Sequence, residues 1–254
     1  MPIFQPVHLT PDLAAAVERW TRLAGWSRLH VRSVERFWRR LGEPQPFRLI
    51  DVGCGLGGLL EDVHAWAERA GIEVELAGCE ISKELVDAAA ERLGDRAFIY
   101  QGDLQHLGCG ADVWHLATCC LVTSQLSGHD KIRLVTELGR VARTAYIFDV
   151  SKTAATEVGA KLVPLLSRGG VGPPEAWVTS VDNAATQREL RDLVSALPVD
   201  VVSVFPGAMC TVPEAAKRQR IERPESKPVR VKFESVALAP GLAGADKRHD
   251  VRAG

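Results

Sequence analysis

The chain has 254 residues, 46% hydrophobic and 25% charged, with 31 Lys and Arg against 32 Asp and Glu for a formal net charge of −1. This is the balance of an ordinary globular protein with material for a sizeable core, built without disulfide or metal staples. It leaves no global positive field for nucleic acid or an anionic membrane, and no run of 18 apolar residues predicts a transmembrane helix.

In chain order, residues 11–41 read as helical. Thr10-Pro11-Asp12 has the form of a cap with proline in the first turn, and Leu13, Ala16, Val17 and Trp20 recur at helical spacing. A second run carries Leu29, Val31, Val34, Phe37, Trp38 and Leu41, and Gly42-Glu43-Pro44 ends it. Strand and helix then alternate. Strands are predicted over 47–52, 74–79, 97–100, 115–121 (or a segment shifted by two) and 145–150, and helices over 56–70, 82–93 and 131–141. Such alternation implies a parallel sheet covered on both faces. Beyond Val150 the pattern predicts helices over 153–166 and 186–197, a loop over 169–174 and a sixth strand over 199–205. A seventh strand is either 208–212, returning antiparallel after Pro206-Gly207, or 229–239.

The strongest local signal is Asp51-Val52-Gly53-Cys54-Gly55-Leu56-Gly57-Gly58, where the first strand meets its helix. Glycines there permit a tight turn and close approach of backbone to a ligand, and the helix start offers free N–H groups. Gly53, Gly55 and Gly58 also satisfy GxGxxG, with Glu80 about where a dinucleotide-binding acid stands, so the turn alone is ambiguous. Three acids bear on the choice. Asp51 closes the strand before the first glycine, where a negative group suits a ligand carrying a positive sulfonium and ammonium rather than a pyrophosphate. Glu80 ends the second strand, placed to accept from a ribose diol, and Asp103 follows the third, where it can accept from an adenine amino group. All three converge on one crevice at the carboxyl ends of consecutive strands.

Over residues 47–150, and more loosely to 212, these motifs resemble the class I S-adenosylmethionine-dependent methyltransferase family, and within it the small-molecule enzymes of the quinone-biosynthesis and polyketide-cluster type. The resemblance implies S-adenosylmethionine as cofactor and a small, hydrophobic or aromatic acceptor, O-methylation being preferred over C-methylation. It implies that Gly53, Cys54, Gly55 and Gly57 pack against the methionine and ribose part and that Asp51 orients that part. Glu80 would hold the ribose hydroxyls, Ile81 would cover the adenine, Asp103 with Leu104 would fix its amino edge, and Cys119 and Cys120 would lie beneath the sulfonium. After the fourth strand the family carries a His-His pair; here HLATCCLVTSQL places Ser124 and Gln125 in those positions. With the obvious imidazole base gone, Asp149 is the first candidate base. His30 and His129 come after it, His30 being expected at the surface or an interface.

The expected fold is therefore an α/β, Rossmann-like, doubly wound, mostly parallel seven-stranded sheet. Its parts are an N-terminal helical lid over residues 1–42, the methyltransferase domain over 43–212, and a basic extension over 213–254 that could contribute the last strand. Trp20, Trp26 and Trp38 either line the lid or dock its helices on the sheet. The six cysteines form no CxxC pair and the seven histidines no ligand spacing, so no metal is expected and the compartment reads as cytoplasmic and reducing. The opening MPIFQPVHLTPDL lacks the pattern of a secretory leader. The basic run from Lys217 to Lys232 is broken by Glu222, Pro224 and Glu225 and reads as solvated, so neither nucleic acid nor membrane is an expected partner. Two alternatives stay open: a methyltransferase-like partner subunit without catalysis, and an NAD(P)-dependent oxidoreductase.

Overall fold

The structure, a computed structural model, describes residues 10–126, 128–152, 181–182, 184–186, 188–189, 200–204 and 207–211. The expected helix over 153–166, most of that over 186–197, the loop over 169–174, the rival strand over 229–239 and the basic extension lie outside the described residues.

Two helices open the chain, α1 (Pro11–Leu23) and α2 (Trp26–Arg40). Thr10 caps α1, its Oγ1 accepting from Leu13 N at 3.4 Å, with proline at the first helical position. The break falls at Gly25, whose φ of 76° no helix continues and which costs glycine little. On α2, Trp26, His30, Ser33, Val34 and Phe37 are buried at a spacing of three and four, while Arg28, Arg32, Arg36, Arg39 and Arg40 face water.

The alternating segment follows as β1 (Phe47–Val52), α3 (Gly58–Ala70), β2 (Val74–Glu80), α4 (Lys83–Leu93), β3 (Phe98–Gln101), β4 (Trp114–Cys120), α5 (Gly128–Val141) and β5 (Ala142–Val150). β1 pairs parallel with β2 and β4, β2 with β3, and β4 with β5. Further along, β6 (Asp200–Val204) and β7 (Gly207–Thr211) form an antiparallel pair, with β7 laid antiparallel on β5, so the sheet order is β3-β2-β1-β4-β5-β7-β6. The chain moves outward from β1 through β2 to β3 and then returns to β4 on the other side. The resulting switch point, between the carboxyl ends of β1 and β4, is where open α/β sheets form their crevice.

Boundaries depart from the predicted ones by one to three residues. α5 begins at Gly128 and β5 at Ala142, immediately after it, because pairing with β4 from Trp114 onward draws Ala142 into the ladder. α3 begins at Gly58 rather than at Leu56, since Gly57 is still left-handed at φ 77°.

Leu49, Ile50 and Val52 of β1 are wholly buried, as a central parallel strand covered on both faces requires. On one face Ile50, Val52 and Ala77 pack with Leu134 and Leu138 of α5. On the other, Leu49, Tyr146 and Phe148 pack with Phe37 of α2 and with Leu60, Val63 and Trp66 of α3. Trp26 meets Phe148 edge-on at 5.0 Å and Trp38 meets Trp66 at 5.8 Å, so two of the three N-terminal tryptophans dock α2 onto the sheet and α3.

α1 is held by charge. Arg92 of α4 grips Glu18 through two bonds, Nη1 to Oε2 at 2.7 Å and Nη2 to Oε1 at 2.8 Å, and Arg22 reaches Glu18 at 2.9 Å and Glu61 of α3 at 3.3 Å. Arg92 also donates to Glu61. A bidentate guanidinium within a network is stronger than an isolated surface pair. A double-mutant cycle on Glu18→Ala and Arg92→Ala, read from urea unfolding, is expected to give a coupling of about 0.5–1 kcal/mol at low salt and less in concentrated NaCl.

Candidate functional site at the carboxyl ends of the strands

At the end of β1 the backbone turns through Gly53, Gly55 and Gly57, with φ of 75°, 55° and 77°. Gly53 N and Cys54 N both donate to Cys79 O, at 2.8 and 3.2 Å, and Gly57 N donates to Cys54 O at 2.9 Å. Two of these glycines are also dictated by space. A Cβ on Gly53 would stand 2.4 Å from Cγ2 of Val122, and one on Gly57 would stand 2.6 Å from Cδ1 of Leu93. The turn is thus clasped between the segment after β4 and the end of α4.

The three predicted acids lie at this edge, in different surroundings. Asp51 is 3% exposed, and its Oδ1 accepts from Thr118 Oγ1 at 2.6 Å. Burial, with a smaller contribution from the Glu80 charge, pushes its carboxyl from 3.8 up to about 7, against the opposing bond from Thr118. Glu80 is also buried, and backbone N–H groups engage both of its oxygens. Oε2 accepts from Gly55 N at 3.0 Å, and Oε1 from Ile81 N at 2.8 Å and Ser82 N at 3.1 Å. Asp103 is exposed, with Oδ1 accepting from Gln105 N at 2.8 Å, and it bridges to His106.

The remaining predicted residues fall around these acids. Ile81 is 59% exposed, a large apolar side chain in water beside Glu80, whereas Leu104 is buried. Cys54 and Cys119 are buried and Cys120 partly so. Burial is the first cause pushing all three thiols well above their ordinary value, so they stay protonated and serve as small apolar lining rather than nucleophiles. Ser124 and Gln125 belong to a 3₁₀ turn, Thr123–Gln125.

The three candidate bases differ in setting. Asp149 is 2% exposed, and both of its oxygens accept: Oδ2 from Thr123 Oγ1 at 2.6 Å and Ser124 N at 2.8 Å, Oδ1 from Val150 N at 2.7 Å. Its carboxyl is raised by burial, against the pull of those donors. His129 is exposed on the first turn of α5. Of the surface or interface position expected for His30, the structure gives the interface between α2 and the sheet. His30 is 6% exposed, its Nδ1 lies 2.8 Å from Tyr146 Oη, and its ring meets Phe148 edge-on at 4.6 Å. Burial lowers it to about 4, so it is neutral at pH 7. Its place one turn after Trp26 and one before Val34 was the available signal.

Thr118, Val122, Thr123 and Tyr146 were not singled out from the sequence. Gly78, Asp51, Thr118 and Tyr146 lie in one row across β2, β1, β4 and β5, a juxtaposition that only strand register creates. Among the described residues no group of His, Cys, Asp or Glu could hold a metal ion, and no helix is long and apolar enough to cross a membrane.

A family described as a methyltransferase domain matches residues 49–145, from β1 into β5 and so through the glycine turn and all three acids. Similar solved structures include a SAM-dependent methyltransferase from Aquifex aeolicus (16% identity, 74% of this chain and 93% of that one, TM-score 0.51). Two plantazolicin methyltransferases are also similar. BamL, in complex with a triazolic desmethylPZN analog and SAH, is 17% identical over 74% of this chain and 70% of its own, with a TM-score of 0.57. BpumL, in complex with SAH, is 13% identical over 79% and 93%, with a TM-score of 0.58. At such identities the likeness is one of fold. No curated protein matches the chain. Residues 49–145 thus match a methyltransferase domain, on a fold shared with solved S-adenosylmethionine-dependent methyltransferases.

The Asp51 carboxyl ties stability to pH. With its folded value raised, the native state holds a proton more readily than the unfolded chain between 3.8 and about 7, so stability is lost as pH rises through that window. Asp51→Asn keeps the shape and the Thr118 acceptor without the charge. It is expected to match the parent near pH 4 and to exceed its stability at pH 8, by up to about 4 kcal/mol in denaturant titrations without ligand. A gap independent of pH would show that the buried charge is not the cause.

Proposed function

We propose that the protein transfers a methyl group from S-adenosylmethionine to a small, hydrophobic or aromatic acceptor, at oxygen in preference to carbon. The observation that carries this reading is the convergence of Asp51, Glu80 and Asp103 around a glycine turn at the switch point of a parallel sheet. The residues present fit the cofactor. Asp51 is a buried carboxyl that, among the described residues, accepts from a neutral hydroxyl, that of Thr118, which suits a positively charged ligand. Ile81 offers an exposed apolar side chain to a flat ring.

In this reading Gly53, Cys54, Gly55 and Gly57 receive the methionine and ribose part, and Asp51 orients it. Glu80 takes the ribose hydroxyls with the acceptor capacity left beyond its backbone bonds. Ile81 covers the adenine, Asp103 and Leu104 meet its amino edge, and Cys119 and Cys120 form the floor. S-adenosylmethionine supplies, when bound, a methyl group on a positive sulfur. The chain's own work is to hold the acceptor in line and exclude water, an ordering that can lower a barrier by about 7–11 kcal/mol.

A hydroxyl acceptor also needs somewhere to send its proton. Asp149, the first candidate base, has three of its roughly four acceptor sites taken by Thr123, Ser124 and Val150. His30, the next candidate, is neutral, on the face of the sheet that carries Asp51 and Thr118, with Nδ1 2.8 Å from Tyr146 Oη.

The proposal extends to organisation: residues 1–42 as a helical lid on the acceptor side, 43–212 as the methyltransferase domain, and 213–254 as a basic extension. BamL, similar in fold, is solved with a triazolic desmethylPZN analog, which supports a small-molecule acceptor here; neither nucleic acid nor membrane is proposed as a partner. Five free cysteines among the described residues suit a reducing, cytoplasmic compartment and a biosynthetic role within it.

Thermal unfolding with separate additions of S-adenosylmethionine, S-adenosylhomocysteine, NAD and NADP tests the cofactor. The two adenosyl sulfur compounds are expected to stabilise by about 2.7 kcal/mol at 100 times their dissociation constants. A shift with NAD or NADP alone would replace this reading by an oxidoreductase. Glu80→Ala is expected to weaken S-adenosylhomocysteine binding by about 1–3 kcal/mol in calorimetry, and unchanged affinity would sink the ribose assignment.

A further inference from the structure

We infer that Asp149 is a positioning residue for the amino-acid end of the cofactor: it pins the turn after β4, and through Val122 that turn sets the position of the Gly53 wall. The inference rests on the cofactor reading above and goes beyond it, since the residue concerned stands behind the site.

The connection can be followed atom by atom. Leu121, the first residue after β4, has φ 61°, a conformation an L side chain disfavours and which needs support from its surroundings. That support comes from β5. Leu121 N donates to Phe148 O at 2.8 Å, and the next residue of β5, Asp149, takes Thr123 Oγ1 at 2.6 Å and Ser124 N at 2.8 Å on a single oxygen. The turn adds a bond of its own, Gln125 Nε2 to Leu121 O at 2.8 Å. Thr123 and Ser124 are 3% and 4% exposed, so water is a poor substitute for these partners.

Val122 lies between the supported points, 9% exposed, and its Cγ2 occupies the place a side chain on Gly53 would take, 2.4 Å from that Cβ position. The path therefore runs from Asp149 to the turn, from the turn to Val122, and from Val122 to Gly53. Glu80 ends β2, Ile81 follows it and Asp103 lies just past β3, on the far side of β1 from β4. A shift of the turn accordingly acts on the methionine side and spares the adenosine side.

Calorimetry with two probes separates these sides: S-adenosylhomocysteine, which fills both, and adenosine, which lacks the amino-acid end. Asp149→Asn is expected to bind S-adenosylhomocysteine at least tenfold more weakly and adenosine within about twofold of the parent. Thr123→Val removes one donor and is expected to give a smaller loss in the same sense, which Thr123→Ser restores. If Asp149→Asn does not fold, the two Thr123 variants decide. Folded variants that lose both ligands equally, or lose neither, overturn the inference while leaving the cofactor reading intact. A parent protein that binds neither probe overturns the cofactor reading, and this inference with it.

Discussion

One carboxylate joins the two turns on which the site is built. Glu80 closes β2, accepts from Ile81 and Ser82 in its own βα turn, and reaches across to Gly55 in the turn after β1. Two strands side by side in a parallel sheet fix their backbones by ladder bonds, but the loops beyond them have no ladder. A buried charged acceptor with three N–H donors supplies the missing constraint, and charge-assisted bonds are about twice as strong as neutral ones. The glycine turn is held on its other flanks by Leu93 and Val122, which leave no room for a Cβ at Gly57 and Gly53.

The two other buried acids show different solutions to one cost. Removing a carboxylate from water is expensive unless donors replace the water. Asp149 has a hydroxyl and two backbone N–H groups and binds the turn after β4 to β5. Asp51 has Thr118 and a neighbouring carboxylate, which leaves it raised to about 7. A structural residue would be better solvated or better paired. In the proposed reading the positive charge of the cofactor would offset the deficit at Asp51, a residue that costs stability at neutral pH without ligand.

The N-terminal helices divide their labour. α2 docks by apolar and aromatic contacts, with one polar pair, His30 and Tyr146, inside the interface. α1 carries fewer buried residues and is fastened by the Glu18, Arg22, Glu61 and Arg92 network. These fasteners join it to α3 and α4, the helices that begin just past the two stitched turns.

The order of elements, the glycine turn and the acids at the ends of β1, β2 and β3 were legible in the sequence, because each is a local property. Periodicity, a cap such as Thr10, and a glycine that must take positive φ are decided within a few residues. The partners of those residues were not legible. Thr118 is 67 residues from Asp51, His30 is 116 from Tyr146, and Thr123 is 26 from Asp149. Such pairs exist only once strand register and helix docking have brought distant segments together, and burial then sets the protonation of what they contain. The sequence by itself determined which chemical groups the chain carries to the edge of the sheet. Only the tertiary structure decided which of them are short of donors, as Asp51 is, and which, like Asp149, have a hydroxyl and two backbone N–H groups around them, because that depends on which donors lie within reach after folding.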